Sequence, residues 1–159
     1  MPLSPSVPSL YTYGFITSRT VRVLSRPPGN GLSEDDRKVL KNCMELVEKV
    51  IRGRDALIGR NPELVRDLRP DDVEVFTYVL TRDSEVMRLA SEQETLRTYF
   101  QQIFGTLQAL NSDPPKHVDE TSLVTTRNFL ERVANALLET AKESVRSTPG
   151  HGRGSRAAI

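Results

Sequence analysis

The chain contains one cysteine, two histidines and no tryptophan among its 159 residues. A single cysteine cannot form an intramolecular disulfide, which is compatible with a reducing compartment. Cys43 falls on the apolar stripe of a predicted helix, so we expect a buried, unreactive thiol. The sequence has no run of about 18 apolar residues, which excludes a membrane-spanning helix and predicts no membrane partner.

The sequence also lacks the spacings that hold metals and cofactors. His117 lies beside a Pro-Pro loop and His151 lies in a Gly-rich segment, and neither has carboxylates three or four residues away on a helix face. No CxxC, HExxH, GxSxG or GxxxxGK[ST] motif occurs. We therefore expect no metal site, no cofactor and no catalytic residue, and we do not expect an enzyme.

Three carboxylate pairs are the remaining candidates for acid–base or cation-binding chemistry. They are Asp35–Asp36, Asp71–Asp72 and Asp119–Glu120. Each pair falls in the first turn of a predicted helix, where the helix dipole favours negative charge by about 0.3–1 kcal/mol. This position predicts a structural role rather than an active site.

The net charge of +1 conceals an uneven distribution. All 21 acidic residues lie between positions 34 and 145 with 16 of the 22 basic ones, so this middle carries −5 (16 − 21). The other six basic residues are arginines on the acid-free ends: Arg19, Arg22, Arg26, Arg146, Arg153 and Arg156. Arginine suits phosphate through its planar guanidinium, so these ends can follow a nucleic-acid backbone by charge. Tyr11, Tyr13 and Phe15, near the first of them, can stack on bases.

Apolar residues spaced three and four apart predict helices through the middle of the chain. The first covers 33–58 and begins with a capping serine followed by three acids. An Asn-Pro pair at 61–62 begins a short helix that ends near Leu68. Residues 73–80 have high strand propensity, but the preceding Pro-Asp-Asp and the lack of a partner strand favour a helix.

The central stretch, 84–110, carries the longest apolar stripe and predicts the helix on which the others pack. Its apolar positions are Val86, Leu89, Leu96, Phe100, Ile103, Leu107 and Leu110. Ser91 and Glu94 form a capping-box pattern inside it, which indicates a kink or a restart. After an Asn-Ser-Asp-Pro-Pro turn, the last helix is predicted over 119–144.

The two ends differ in composition from the middle. Residues 1–32 carry five prolines together with serines and three arginines, which predicts an arm that is disordered or orders on a partner. A short strand at Thr20–Leu24 and an organelle-targeting role for residues 1–31 are the alternatives. Residues 147–159 are rich in Gly and Arg and predict a disordered tail.

Together these patterns predict an all-α protein, an antiparallel helical bundle over 33–146. It would contain three long helices and one or two short ones, packed as in a coiled coil. The apolar stripes are wider than a small bundle can cover, and leftover apolar surface is typical of interaction proteins. The leading hypothesis is a non-catalytic, cytoplasmic subunit that docks on a protein partner or forms a homo-oligomer. The alternative is an accessory nucleic-acid-binding protein acting through its six terminal arginines.

Overall fold

The computed structural model describes residues 6–26, 32–59, 61–89, 92–112 and 115–147. Within these ranges all regular secondary structure is helical, which confirms the all-α prediction. The described helices are α1 (Val7–Leu24), α2 (Glu34–Gly59), α3 (Pro62–Val65), α4 (Pro70–Arg82), α5 (Ser84–Leu89), α6 (Gln93–Leu110) and α7 (Glu120–Ser147). None of these helices is long and apolar enough to cross a membrane.

Side-chain caps fix several helix starts at their predicted positions. Ser33 Oγ accepts a hydrogen bond from the amide of Asp36 at 3.1 Å, and the Asp36 carboxylate accepts one from the amide of Ser33 at 3.2 Å. This reciprocal pair begins α2. The Asn61 side chain caps α3, and the Asp119 carboxylate caps α7 by accepting from the amide of Ser122 at 3.2 Å.

Residues 73–80 are helical, as predicted, and lie within α4. Pro70 occupies the first position of the helix. A backbone N–H there would have no acceptor within the helix, so proline, which has no N–H, costs no hydrogen bond at this position. Val75, Phe76 and Val79 are buried on one side of the helix. Burial of this stripe at helical spacing outweighs the strand propensity of the individual residues.

The central stretch is divided, as the capping-box pattern indicates. Helix α5 ends at Leu89 and α6 begins at Gln93, so the apolar stripe runs through two helices. Residues 90 and 91 lie outside the described residues, and Glu92 rather than Ser91 occupies the N-cap position of α6, with no side-chain cap hydrogen bond. The capping-box pattern therefore predicts the restart of the helix but not its cap residue.

A buried acid joins the α4–α5 junction to α7. Asp83 caps α5 by accepting from the amide of Val86 at 3.0 Å, and it also accepts from Arg132 Nε at 3.0 Å. Arg132 Nη2 donates in turn to the hydroxyl of Tyr99 on α6 at 3.1 Å. Burial raises the pKa of Tyr99.

The N-terminal segment is a helix, where the sequence favoured a disordered arm with a strand at Thr20–Leu24 as an alternative. Ser6 caps α1 by accepting from the amide of Ser9. The buried positions recur every three or four residues: Leu10, Tyr13, Gly14, Thr17, Thr20, Val23 and Leu24. Because glycine, threonine and tyrosine fill most of these positions, the stripe is hidden from a count of apolar residues. The structure therefore differs from the sequence expectation over 7–24.

Helix α1 packs most extensively on α7 and also contacts α2 and α4. Six of the described helices supply the largest fully buried side chains, which include Leu10, Leu40, Phe76, Val86, Leu96, Phe100, Ile103, Leu107, Leu130 and Leu137. Cys43 is fully buried in this core. Burial raises the pKa of its thiol to about 12, which confirms the prediction of a buried cysteine.

The structure describes only part of the two ends of the chain. Helix α7 reaches Ser147, and the rest of the predicted tail, 148–159, lies outside the described residues. Residues 1–5 and 27–31 lie outside them as well. The bundle boundaries at 33–146 and the targeting role of the N-terminal segment stay predictions.

Candidate interaction surface on helix α1

A buried polar contact fixes α1 to the body of the protein. The hydroxyl of Tyr13 donates a hydrogen bond to Oδ1 of Asp72, which lies in the first turn of α4 and is only 1% exposed. Lys49 Nζ lies 3.5 Å and Arg69 Nε 3.7 Å from Oδ2 of Asp72. These three groups offset the cost of burying a carboxylate. Burial and the hydrogen bond to Asp72 raise the pKa of Tyr13 to about 12.

Two further contacts hold α1 close to its neighbours. Ser9 Oγ donates to Oδ2 of Asp71 at 2.7 Å, and this hydrogen bond lowers the pKa of Asp71. Gly14 faces Leu138 of α7 so closely that a Cβ on Gly14 would lie 2.7 Å from Leu138 Cδ2. Any larger residue must displace the leucine. One side of α1 therefore packs against α4 and α7.

The other side of α1 carries exposed aromatic and basic residues. Tyr11 is 44% exposed and Phe15 is 57% exposed. Tyr11, Phe15, Ser18 and Arg22 are spaced four, three and four residues apart, so they line one face of the helix. The guanidinium of Arg19 lies 5.5 Å from the centre of the Phe15 ring, a cation–π distance. We call Tyr11, Phe15, Ser18, Arg19 and Arg22 the α1 strip.

A shallow depression extends the α1 strip towards α7. Its lining residues are Tyr11, Thr12, Phe15, Ile16, Ser18, Arg22 and Leu138. Val145 follows Leu138 by seven residues, which places both on the same side of α7, and Val145 is 43% exposed. Leu138 therefore brings apolar surface of α7 beside the α1 strip, and Val145 is a further exposed apolar residue two turns along the same helix.

The structure brings together only some of the arginines that the sequence singles out. Arg19 and Arg22 belong to the α1 strip, and Arg26, just after α1, pairs with Asp36 at the start of α2. The remaining candidates lie outside the residues whose side chains are described: Arg146, Arg153 and Arg156. Whether the two acid-free ends act together stays a prediction.

Tyr13 does not share the exposed face with the other two aromatic residues. The sequence groups it with Tyr11 and Phe15 as a stacking residue, but it is only 7% exposed and packs against Phe76, with ring centroids 6.0 Å apart. Residues two apart point to different sides of a helix, whereas residues four apart share one. The helical spacing reveals this difference once the segment is known to be a helix.

The carboxylate pairs lie at helix starts, as predicted. Asp35–Asp36 and Asp71–Asp72 fall in the first turns of α2 and α4, and Glu120 begins α7 directly after its cap, Asp119. Hydrogen bonds from Ser122 lower the pKa of Asp119. Within the described ranges, no three His, Cys, Asp or Glu side chains are grouped so that they could hold a metal ion.

Compared with known proteins, the chain matches no family model, no curated protein and no solved structure.

Proposed function

We propose that this protein is a non-catalytic interaction subunit that docks on a protein partner through the α1 strip. The observation that carries the proposal is the exposure of Tyr11 and Phe15 on a helix whose other side is held by Tyr13 and Gly14. The exposed rings add little to the core, and the anchored helix presents them at fixed positions. Aromatic and arginine side chains are frequent anchors of protein interfaces.

Two finer predictions belong to the same proposal. The first is an antiparallel arrangement of the long helices, which is supported by the connection of nine residues, 111–119, between α6 and α7. The second is a reducing, cytoplasmic compartment, which is supported by the single buried thiol of Cys43.

Affinity purification of native partners with matched variants tests the docking role. We expect Tyr11→Ser/Phe15→Ser to reduce capture of a direct partner by more than about tenfold, because aromatic anchors carry much of the binding energy. Met87→Ser is the control, since Met87 is 51% exposed but lies on α5. Equal capture by the wild type and the double variant, or a loss with Met87→Ser alone, contradicts the proposal.

A nucleic-acid-binding role is the second candidate, and one observation favours it. Arg19 and Arg22 lie beside Tyr11 and Phe15 on a helix that contains no acidic residue. Phosphate attraction combined with base stacking is how many proteins bind single strands without sequence preference.

Fluorescence anisotropy with a labelled single-stranded oligonucleotide separates this role from protein docking. If the protein binds nucleic acid through the α1 strip, its affinity for the oligonucleotide should fall steeply between about 50 and 200 mM salt. Arg19→Gln/Arg22→Gln should lower the affinity further, because each lost phosphate contact reduces counterion release. Arg66→Gln is the control, since this exposed arginine lies directly after α3. The α1 strip is ruled out as the nucleic-acid site if the affinity does not depend on salt concentration. It is also ruled out if Arg66→Gln weakens binding as much as Arg19→Gln/Arg22→Gln does.

A further inference from the structure

We propose that the occupant of the α1 strip is a second copy of this chain, with the two α1 helices packed antiparallel around a two-fold axis. This proposal rests on the proposed function, because it assigns a partner to the same surface. The spacing of the strip, the sizes of its side chains and the position of its charges all support it.

Four residues of the strip have a spacing that is symmetric about its centre. Tyr11 and Phe15 are four residues apart, Phe15 and Ser18 three, and Ser18 and Arg22 four. A two-fold axis between positions 16 and 17 therefore places Tyr11 opposite Arg22 of the second copy, and Phe15 opposite its Ser18. These four positions then meet one another in pairs, as an isologous interface requires. Arg19 falls opposite position 14 of the second copy, beside these pairs.

Both of these pairs join side chains that fit each other. The large ring of Phe15 meets the small side chain of Ser18, and such alternation lets two helices interdigitate. The ring of Tyr11 meets the guanidinium of Arg22 in a cation–π pair. Within the chain the same chemistry places Arg82 4.7 Å from the centre of the Tyr78 ring.

The charges of α1 select the antiparallel orientation. Arg19 and Arg22 both lie in the C-terminal half of α1, which has no acidic residue. A parallel pair would place the arginines of both copies side by side, where like charges repel. In the antiparallel pair the two Arg22 residues are separated along the helices by the rise of 11 residues (22 − 11), about 16.5 Å, and the two Arg19 residues by the rise of five (19 − 14), about 7.5 Å. The Arg22 separation exceeds the Debye length of about 8 Å at physiological salt, so that repulsion is largely screened. The two Arg19 residues still repel each other, but less than in the parallel pair, where both arginines of one copy would lie beside those of the other.

The contact is short, so the dimer should dissociate on dilution. From Tyr11 to Arg22 the strip is only about 16.5 Å long, whereas a stable interface buries about 1,200–2,000 Å² in total. Leu138 extends the apolar surface beside it, and a net charge of +1 produces little long-range repulsion between copies. We expect a dimer Kd of about 1–100 μM.

Sedimentation equilibrium of the full chain from about 1 to 500 μM measures this equilibrium directly. Tyr11→Arg places an arginine opposite Arg22 of the second copy and should raise the dimer Kd more than about tenfold. Tyr11→Arg/Arg22→Glu replaces that repulsion with two symmetric ion pairs and should return the Kd to within about threefold of the wild type. Met87→Arg should leave the Kd unchanged, and circular dichroism checks that each variant is folded.

A wild-type chain that stays monomeric up to about 500 μM overturns the dimer, since the expected Kd lies well below that concentration. In that case, loss of another captured protein in Tyr11→Ser/Phe15→Ser still supports docking through the α1 strip, so the two proposals fail separately. The proposed dimer is also overturned if Tyr11→Arg leaves dimerisation unchanged, or if Tyr11→Arg/Arg22→Glu does not restore it. Either result would mean that the chain dimerises through a different surface.

Discussion

The hydroxyl of Tyr13 donates a hydrogen bond to the carboxylate of Asp72, a residue 59 positions later in the chain. The bond joins α1 to the first turn of α4, and both residues are buried. The α1 strip lies on the other side of the same helix. A change that weakens this bond should therefore loosen the surface through which we expect the protein to act.

Tyr13→Phe should lower the free energy of unfolding by about 1–3 kcal/mol. The substitution removes the hydroxyl that donates to Oδ1 of the buried Asp72 carboxylate and leaves this oxygen poorly satisfied. Urea denaturation measures the effect as a lower midpoint at an unchanged m value.

Tyr11→Phe is the control for this substitution, because the Tyr11 side chain is exposed, and it should change stability by less than about 0.5 kcal/mol. A double-mutant cycle with Asp72→Ala isolates the contact. Additive effects of Tyr13→Phe and Asp72→Ala would show that the two residues are not coupled.

Alkaline pH should weaken the fold through Tyr13. Its pKa is about 12 in the folded protein, against about 10 for a tyrosine in an unfolded chain. A folded pKa above the unfolded value means that the contribution is complete below about pH 10 and is lost as pH rises towards 12. The loss amounts to about 2 kcal/mol, and Tyr13→Phe should show a correspondingly smaller fall in stability over this range.

Phenolate absorbance at 295 nm provides the matching titration. The difference between the wild type and Tyr13→Phe should have its midpoint near pH 12, as the raised pKa of Tyr13 requires. A midpoint near 10 would mean that the hydroxyl is neither buried nor bonded to Asp72 in solution.

Two helical glycines should respond differently to alanine. A Cβ on Gly105 meets nothing within 4 Å, so Gly105→Ala should stabilise the protein by about 0.5–1 kcal/mol through its helix propensity. A Cβ on Gly14 meets Leu138 Cδ2 at 2.7 Å and Cγ at 2.9 Å, so Gly14→Ala should be at least about 1 kcal/mol less stable than Gly105→Ala.

Thermal denaturation of both variants checks this difference between the glycines. Adding Leu138→Ala removes the obstructing atoms, so in that background Gly14→Ala should recover the gain that alanine brings to a helix. Equal melting temperatures for Gly14→Ala and Gly105→Ala would indicate that α1 does not approach α7 as closely as described.

The thiol of Cys43 should react only when the protein unfolds. It has no exposed surface, and burial raises its pKa to about 12, so little thiolate forms at neutral pH. Ellman's reagent should label the denatured chain rapidly and leave the native chain unlabelled for hours. Ser25→Cys adds an exposed thiol as the control, and labelling of Cys43 at a similar native rate would contradict its burial.

Local signals explain how much of the fold could be predicted. Ser33 and Asn61 cap helices at their predicted positions, and Asp119 caps the last helix at its predicted start. Each of these side chains acts on an amide only two or three residues away. Helix α1 depends instead on Tyr13 and Gly14 meeting residues far along the chain. Its own sequence, with β-branched residues and a glycine, has low helix propensity, so tertiary contacts decide its structure.

The candidate surface could be predicted in part for the same reason. Composition alone singled out Tyr11, Phe15, Arg19 and Arg22, because aromatic rings and arginines stand out in an acid-free segment. The different position of Tyr13 follows only from helical spacing. The burial of the Asp72 carboxylate carries no sequence signal, since an acid in a first turn is ordinarily exposed and stabilised by the helix dipole.

The packing of α1 on α7 also affects how the protein folds during synthesis. Glu120, where α7 begins, follows the end of α1 at Leu24 by 96 residues (120 − 24), so a ribosome adding about 5–20 residues per second needs roughly 5–20 s to reach it. Until then the nascent α1 segment lacks its main packing partner and exposes Leu10 and Val23 to solvent or to a chaperone. A messenger RNA truncated before α7 therefore yields a chain whose first helix cannot pack on α7, and proteases should degrade this chain rapidly.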